Sequence, residues 1–215
     1  MSRKGLLCVA VLGILLGSYP TAYPVTFGAP VIDRDEVDYA YQITFIDTGD
    51  LCPEEGWLTT WKLWAKGTGV LDLQIFRPVP TGYMLVGENN VTVSTLGYNE
   101  FSFSGPNRIA VEMGDMLGFR YDYDSTIPKV IAYTAPQPGG GGPFHWTGPW
   151  PDGGANDVPI GGIIPYNFMN FDPASITGRV CSLAADVEAV PEPTALLLLA
   201  PGVAGLAAVR RRFKK

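Results

Sequence analysis

Apolar and polar side chains alternate over residues 57–66, where Trp57, Trp61, Leu63 and Ala65 fall on one side and Lys62 and Lys66 on the other. A period of two is that of a half-buried strand, whose successive side chains point to opposite faces. Gly67-Thr68-Gly69 predicts a tight turn into residues 70–76, where Leu71, Leu73 and Ile75 oppose Asp72 and Gln74, so the two strands are expected to form a hairpin. Strands of the same kind are predicted over residues 37–46, 83–86, 91–95, 99–103, 108–112, 116–123, 129–134 and 176–183. No long helix is predicted between residues 25 and 189, and no fixed-period repeat points to a propeller or solenoid. Short strands punctuated by Gly and Pro predict an all-β domain, a single jelly-roll-like β-sandwich.

The stretch from Leu73-Gln74-Ile75-Phe76-Arg77-Pro78 to Val111-Glu112-Met113-Gly114-Asp115-Met116-Leu117-Gly118-Phe119 resembles a pattern of extracellular adhesion and carbohydrate-binding sandwiches. In those proteins an I-x-V-x-x-G-D-x-Φ-G-F run closes one sheet. Its physical content is a β-turn at Gly114-Asp115 with a strand on either side.

Two segments outside this domain carry a different signal. Met1-Ser2-Arg3-Lys4 is cationic and residues 5–17 are apolar, the build of an export signal, so residues 1–24 are expected to be a signal peptide with a helical apolar core. Residues 190–215 run from Val190-Pro191-Glu192-Pro193 through the apolar run 195–209 into Arg210-Arg211-Arg212-Phe213-Lys214-Lys215. The two prolines lack a backbone donor, so the Pro191-Glu192-Pro193 stretch is expected to be extended and open to an enzyme. The apolar run would span about 22 Å as a helix, and crosses a bilayer if Thr194 and the arginines snorkel and the bilayer thins. Its cationic flank then stays in the cytoplasm. This order of parts resembles the PEP-CTERM sorting signal of exported bacterial proteins, a tail also labelled an ice-binding protein C-terminal domain. The resemblance implies exosortase, a membrane transpeptidase, as a partner that cuts near Pro191-Glu192-Pro193. It also implies an exopolysaccharide-producing host, with the protein inner-membrane-anchored before processing and then at the cell surface or outside it. The chain shows no flat Thr-rich array of the kind ice binding would need.

Charge divides along the same lines. The whole chain is −6, but residues 25–190 hold 8 basic and 20 acidic side chains, a net −12. Such a domain repels phosphate backbones, which disfavours nucleic acid, so no nucleic-acid partner is expected. Removal of the signal would take Cys8 with it and leave Cys52 and Cys181, expected to form one disulfide in an oxidising compartment.

Residues 135–157 form the most unusual part of the domain: twelve of the 23 are Gly or Pro, which predicts an irregular loop. It carries the chain's single histidine, His145, with Trp146 and Trp150, whose rings could stack on sugar faces and form a polysaccharide-binding rim. The other reading has Trp146 and Trp150 folding back over an open end of the sandwich. Asp122 and Asp124 alternate at a strand end and are the candidate calcium ligands; Asp33, Asp35, Glu36 and Asp38, and Asp152, Asn156 and Asp157, are further oxygen-rich groups without a complete calcium loop. No cofactor is otherwise implied. One histidine and no serine elbow argue against a Ser-His-Asp hydrolase. The expected function is that of an exported, non-catalytic module that binds polysaccharide. The alternatives are a structural surface protein without a small ligand and, more remotely, a carbohydrate-active enzyme.

Overall fold

The computed structural model describes residues 23–37, 43–121, 130–134, 158–166 and 179–190, and the backbone of two further strands at 144–147 and 169–170. The signal segment up to residue 22, the tail from Pro191 onward, Asp122, Asp124 and Trp150 lie outside the described residues. The described chain is all-β. Its strands are β1 (Val25–Gly28), β2 (Glu36–Val37), β3 (Ile43–Leu51), β4 (Gly56–Ala65), β5 (Gly69–Val79), β6 (Gly82–Val93), β7 (Gly97–Ser102), β8 (Ile109–Val111), β9 (Met116–Tyr121), β10 (Ala132–Thr134), β11 (Phe144–Thr147), β12 (Ile163–Pro165), β13 (Met169–Asn170), β14 (Val180–Cys181) and β15 (Leu183–Ala189). A 3-10 turn, Gly105–Asn107, lies between β7 and β8. Among the described residues no helix is long and apolar enough to cross a membrane.

All pairings are antiparallel. One sheet runs β1-β15-β4-β7, with β8 beside β4; a second runs β12-β6-β5-β9-β3-β11-β13; a three-stranded sheet runs β14-β10-β2. Leu58, Trp61, Leu63, Leu183, Ala185 and Val187 of the first sheet share one buried cluster with Phe45, Leu71, Leu73, Ile75, Leu117 and Phe119 of the second. Phe45 and Phe119, opposite each other on β3 and β9, stack at 4.8 Å between ring centroids. A smaller cluster of Ile46, Phe76, Tyr83, Leu85, Met116 and Ile164 lies on the second sheet. Period-two patterning accounts for these strands because each must present one apolar face to a neighbouring layer.

The hairpin expected between residues 57–66 and 70–76 does not form. β4 pairs with β15, β7 and β8, whereas β5 pairs with β6 and β9, so the Lys66–Thr68 link passes from one large sheet to the other. The two strands meet across the core through their apolar faces instead of along their edges. Alternation reveals that a face is buried and not which edge is paired. The end of β4 is held by other partners, with the Lys66 amide donating to the Val130 carbonyl at 2.8 Å.

Residues 83–86 and 91–93, expected in separate strands (the second over 91–95), belong to one twelve-residue strand, β6. Asn89 and Asn90 look like turn residues, yet both find partners from within a strand: Asn89 accepts from the Trp61 indole of the other large sheet at 2.9 Å, and Asn90 donates to Asp72 of the neighbouring strand at 2.7 Å. Gly87 permits the close approach of Ile109, whose Cγ2 would lie 2.8 Å from an added Cβ. The Gly/Pro-rich segment is also not wholly irregular, since Phe144–Thr147 pairs with Thr44 to Asp47 of β3.

Cys52 and Cys181 are both buried thiols, and the disulfide expected between them is absent. They sit at opposite ends of β4. The Cys52 carbonyl accepts from the Gly114 amide near the Gly56 end, where Gly56 pairs with Val111, while Cys181 precedes Ser182, whose carbonyl accepts from the Trp64 amide. Nine residue steps of strand separate those ends, roughly 30 Å at about 3.3 Å each, whereas a bridge needs Cα atoms within about 7 Å. Burial raises the Cys52 thiol above its ordinary pKa, and its sulfur lies 3.1 Å from the Glu54 carbonyl.

Candidate functional site

The alternation over residues 57–66 breaks once, and the break creates the most distinctive surface of the described domain. The pairing of β15 with β4 shifts register between Asp186, opposite Thr60, and Val187, opposite Leu58, which leaves Thr59 as the extra residue of a β-bulge. A bulge reverses the inside–outside phase of the strand beyond it. Leu58 therefore enters the core and Trp57, expected beside Trp61 on the buried face, turns outward and is 39% exposed.

On the same edge of β4, β7 pairs with residues from Thr60 onward and β8 with Gly56, Trp57 and Leu58. The 3-10 turn between β7 and β8 starts at Gly105, whose φ of +57° a side chain would disfavour. Where this turn and β8 approach β6 there is an open cleft of about 420 Å³, walled by Trp57, Arg108 and Ala110 on one side and by Glu88 and Asn89 on the other, with Pro106, Asn107 and Ile160 at its margin.

The cleft walls are held in place. The Arg108 guanidinium lies 5.1 Å from the Trp57 ring centre and reaches Glu188 at 3.4 Å. Asn89, 7% exposed, accepts from the Trp61 Nε1–H and donates to the Asn107 carbonyl at 3.0 Å, which ties the 3-10 turn to the core. Glu88 accepts from Gln74 Nε2 at 3.2 Å. An exposed indole with one face toward a cation, beside carboxylate and amide groups of fixed direction, is suited to stacking and hydrogen bonding.

No family model, curated protein or solved structure matches this chain.

Some of the residues singled out from sequence fall within the described residues. His145 and Trp146 lie on β11, at the register positions opposite Ile46 and Phe45, while Trp150 lies outside the described residues. Asp122 and Asp124 also lie outside them, and among the described residues no three His, Cys, Asp or Glu side chains are grouped to hold a metal. Asp33 is paired with Lys66 at 3.4 Å. Val190 is 45% exposed where β15 ends; Pro191, Glu192 and Pro193 follow outside the described residues. Trp57 and Arg108 were hidden by strict alternation, and the one local sign of the phase change is Thr59-Thr60, two polar residues in succession within an otherwise alternating run.

Asp47 is a buried carboxylate pushed far from its ordinary range. It is 2% exposed, and burial raises its pKa to about 6, against the opposing effect of the Gly49 and Asp50 amides that donate to Oδ1. The folded state thus holds this proton more tightly than the unfolded chain. The stabilisation is full below about pH 4 and is lost as pH rises through about 6. Asp47→Asn is expected to flatten this dependence and to be more stable than wild type at pH 7 by on the order of 2 kcal/mol. Urea unfolding at pH 4.5 and pH 7 checks it; a variant less stable than wild type at pH 7 would contradict the assignment.

Proposed function

We propose that this chain is an exported, non-catalytic surface or matrix protein, in which residues 25–189 form a jelly-roll-like β-sandwich that binds polysaccharide and residues 190–215 are a PEP-CTERM-type sorting signal. Residues 1–24 direct export. The apolar run 195–209 anchors the chain in the inner membrane until exosortase cuts near Pro191-Glu192-Pro193. The observation that carries this reading is the order of three parts within residues 190–215: a Pro-Glu-Pro turn, a short apolar run and five cations. Two large antiparallel sheets sharing one apolar cluster support the sandwich, and the exposure of Val190 at the end of β15 supports access to the motif that follows.

The test is expression of the tagged chain in a bacterium with and without its exosortase. With the enzyme, the domain is expected outside the cytoplasm without its tail; without the enzyme, or after substitution of Pro191, Glu192 and Pro193 by Ala, the full-length chain is expected to remain in the membrane. Uncut protein free in the cytosol of both strains would refute the proposal.

A further inference from the structure

We infer that the cleft between β4, β8 and β6 is a binding site for a neutral glycan, with Trp57 as its stacking surface. The inference rests on the polysaccharide-binding part of the proposed function and assigns that binding to a place the sequence did not indicate.

Three observations carry it. The first is that Trp57 is exposed through a specific backbone device: without the bulge at Thr59 its register would carry it into the core with Trp61. Bulges re-aim side chains beside sites, and this one delivers a large flat ring to a concave surface. The second is pre-organisation. Arg108 lies over the ring, and Asn89, fixed by the buried Trp61 indole, holds the Asn107 carbonyl and with it the turn that forms the cleft margin. A pyranose has an apolar C–H face and a rim of hydroxyls. An indole face beside a carboxylate and a guanidinium of set direction complements both parts.

The third is charge. Arg108 is compensated by Glu188, Glu88 adds a carboxylate to the opposite wall, and residues 25–190 are strongly acidic. A uronate-bearing or sulfated polymer would approach against this field, whereas an uncharged hexose polymer would not. The apolar part of the wall is too small for an acyl chain, which leaves the ring face and polar rim as the recognisable chemistry.

The test is affinity electrophoresis of the full chain in a zwitterionic, sugar-free detergent, in gels containing galactomannan, β-1,3-glucan or, as the anionic probe, polygalacturonate. At least one neutral polymer is expected to retard wild type more than polygalacturonate does. Trp57→Ala is expected to weaken that retardation by roughly tenfold or more, the scale of an aromatic hot spot. Ala110→Gln, which places a larger side chain at an exposed wall position, should do the same without touching the core. Trp146→Ala should retain binding, and thermal melts of the variants should match wild type.

Wild-type retardation of Trp57→Ala and Ala110→Gln, loss confined to Trp146→Ala, or preference for polygalacturonate would overturn the cleft assignment while leaving polysaccharide binding standing. No retardation by either neutral polymer would overturn both, and would leave the export reading to its own test.

Discussion

Trp61→Ala is expected to remove about 5 kcal/mol of stability, the largest effect of any single substitution in the described core. Trp61 is 0% exposed and sits on β4 between Ala185 of β15 and Phe101 of β7. Truncating a buried aromatic costs about 3–5 kcal/mol through lost transfer energy and the cavity left behind. A second cost adds to it: Asn89 Oδ1 loses the indole N–H at 2.9 Å inside the protein, worth roughly 1–3 kcal/mol when left unmet. Against a typical domain stability of about 5–15 kcal/mol, a large unfolded fraction is expected at 25 °C. Trp61→Phe separates the terms, keeping most of the volume and losing the hydrogen bond, and should cost about 2 kcal/mol. Urea unfolding followed by circular dichroism reads both; a Trp61→Ala loss under about 2 kcal/mol would mean that this ring is not the keystone its burial implies. The same variant should lose glycan binding, because Asn89 would no longer be held against Asn107.

Arg77→Ala is expected to cost about 3 kcal/mol, from a polar centre instead of an apolar one. Asp115 is 1% exposed, and Arg77 meets its two oxygens with Nε at 2.8 Å and Nη2 at 2.9 Å. The Glu112 amide donates to Oδ2 at 2.8 Å, and the Asp115 carbonyl accepts from the Cys52 amide at 2.7 Å. The Asp115 carboxylate therefore ties β5 to the β8–β9 turn, and its backbone carbonyl adds the connection from β3 to β4. Removing the guanidinium leaves a buried charge with only amide support, a loss of about 3–5 kcal/mol for a fully enclosed pair. Arg77 is a quarter exposed, which admits water and places the effect at the low end. The hydrogen bond to Asp115 raises the Arg77 pKa further, so the guanidinium stays charged across the accessible pH range. Arg77→Met combined with Asp115→Leu should recover much of the loss, because neither charge is then buried alone. The midpoint of urea unfolding measures each step; a single-variant loss under 1 kcal/mol would show the pair to be energetically idle.

These two centres differ in how far the sequence announced them. The Gly114-Asp115 turn was legible: Gly114 takes φ of +93° and strands lie on both sides of it. That Asp115 would be buried and clasped by Arg77 was not, since the two are 38 residues apart and it is the pairing of β5 with β9, which ends at Phe76 opposite Met116, that brings them together. β15 was readable in principle, because Leu183, Ala185 and Val187 alternate with Asp186 and Glu188, but the alanines make the apolar face weak. β11 was masked by its Gly and Pro surroundings; pairing with β3 outweighs that local composition.

Local alternation of apolar and polar residues determined from the sequence alone that this domain is built of strands, each with a buried face, because that requirement acts on every second residue of a strand. The order of turn, apolar run and cations in residues 190–215 is likewise a property of the chain as written. Which edges pair, that β4 and β5 face each other across the core, that Cys52 and Cys181 lie far apart, and that Trp57 looks out while Leu58 looks in were decided only by the tertiary structure. Each depends on contacts between residues distant in sequence, or on a single extra residue in a strand, and a local period of two is the same for either outcome.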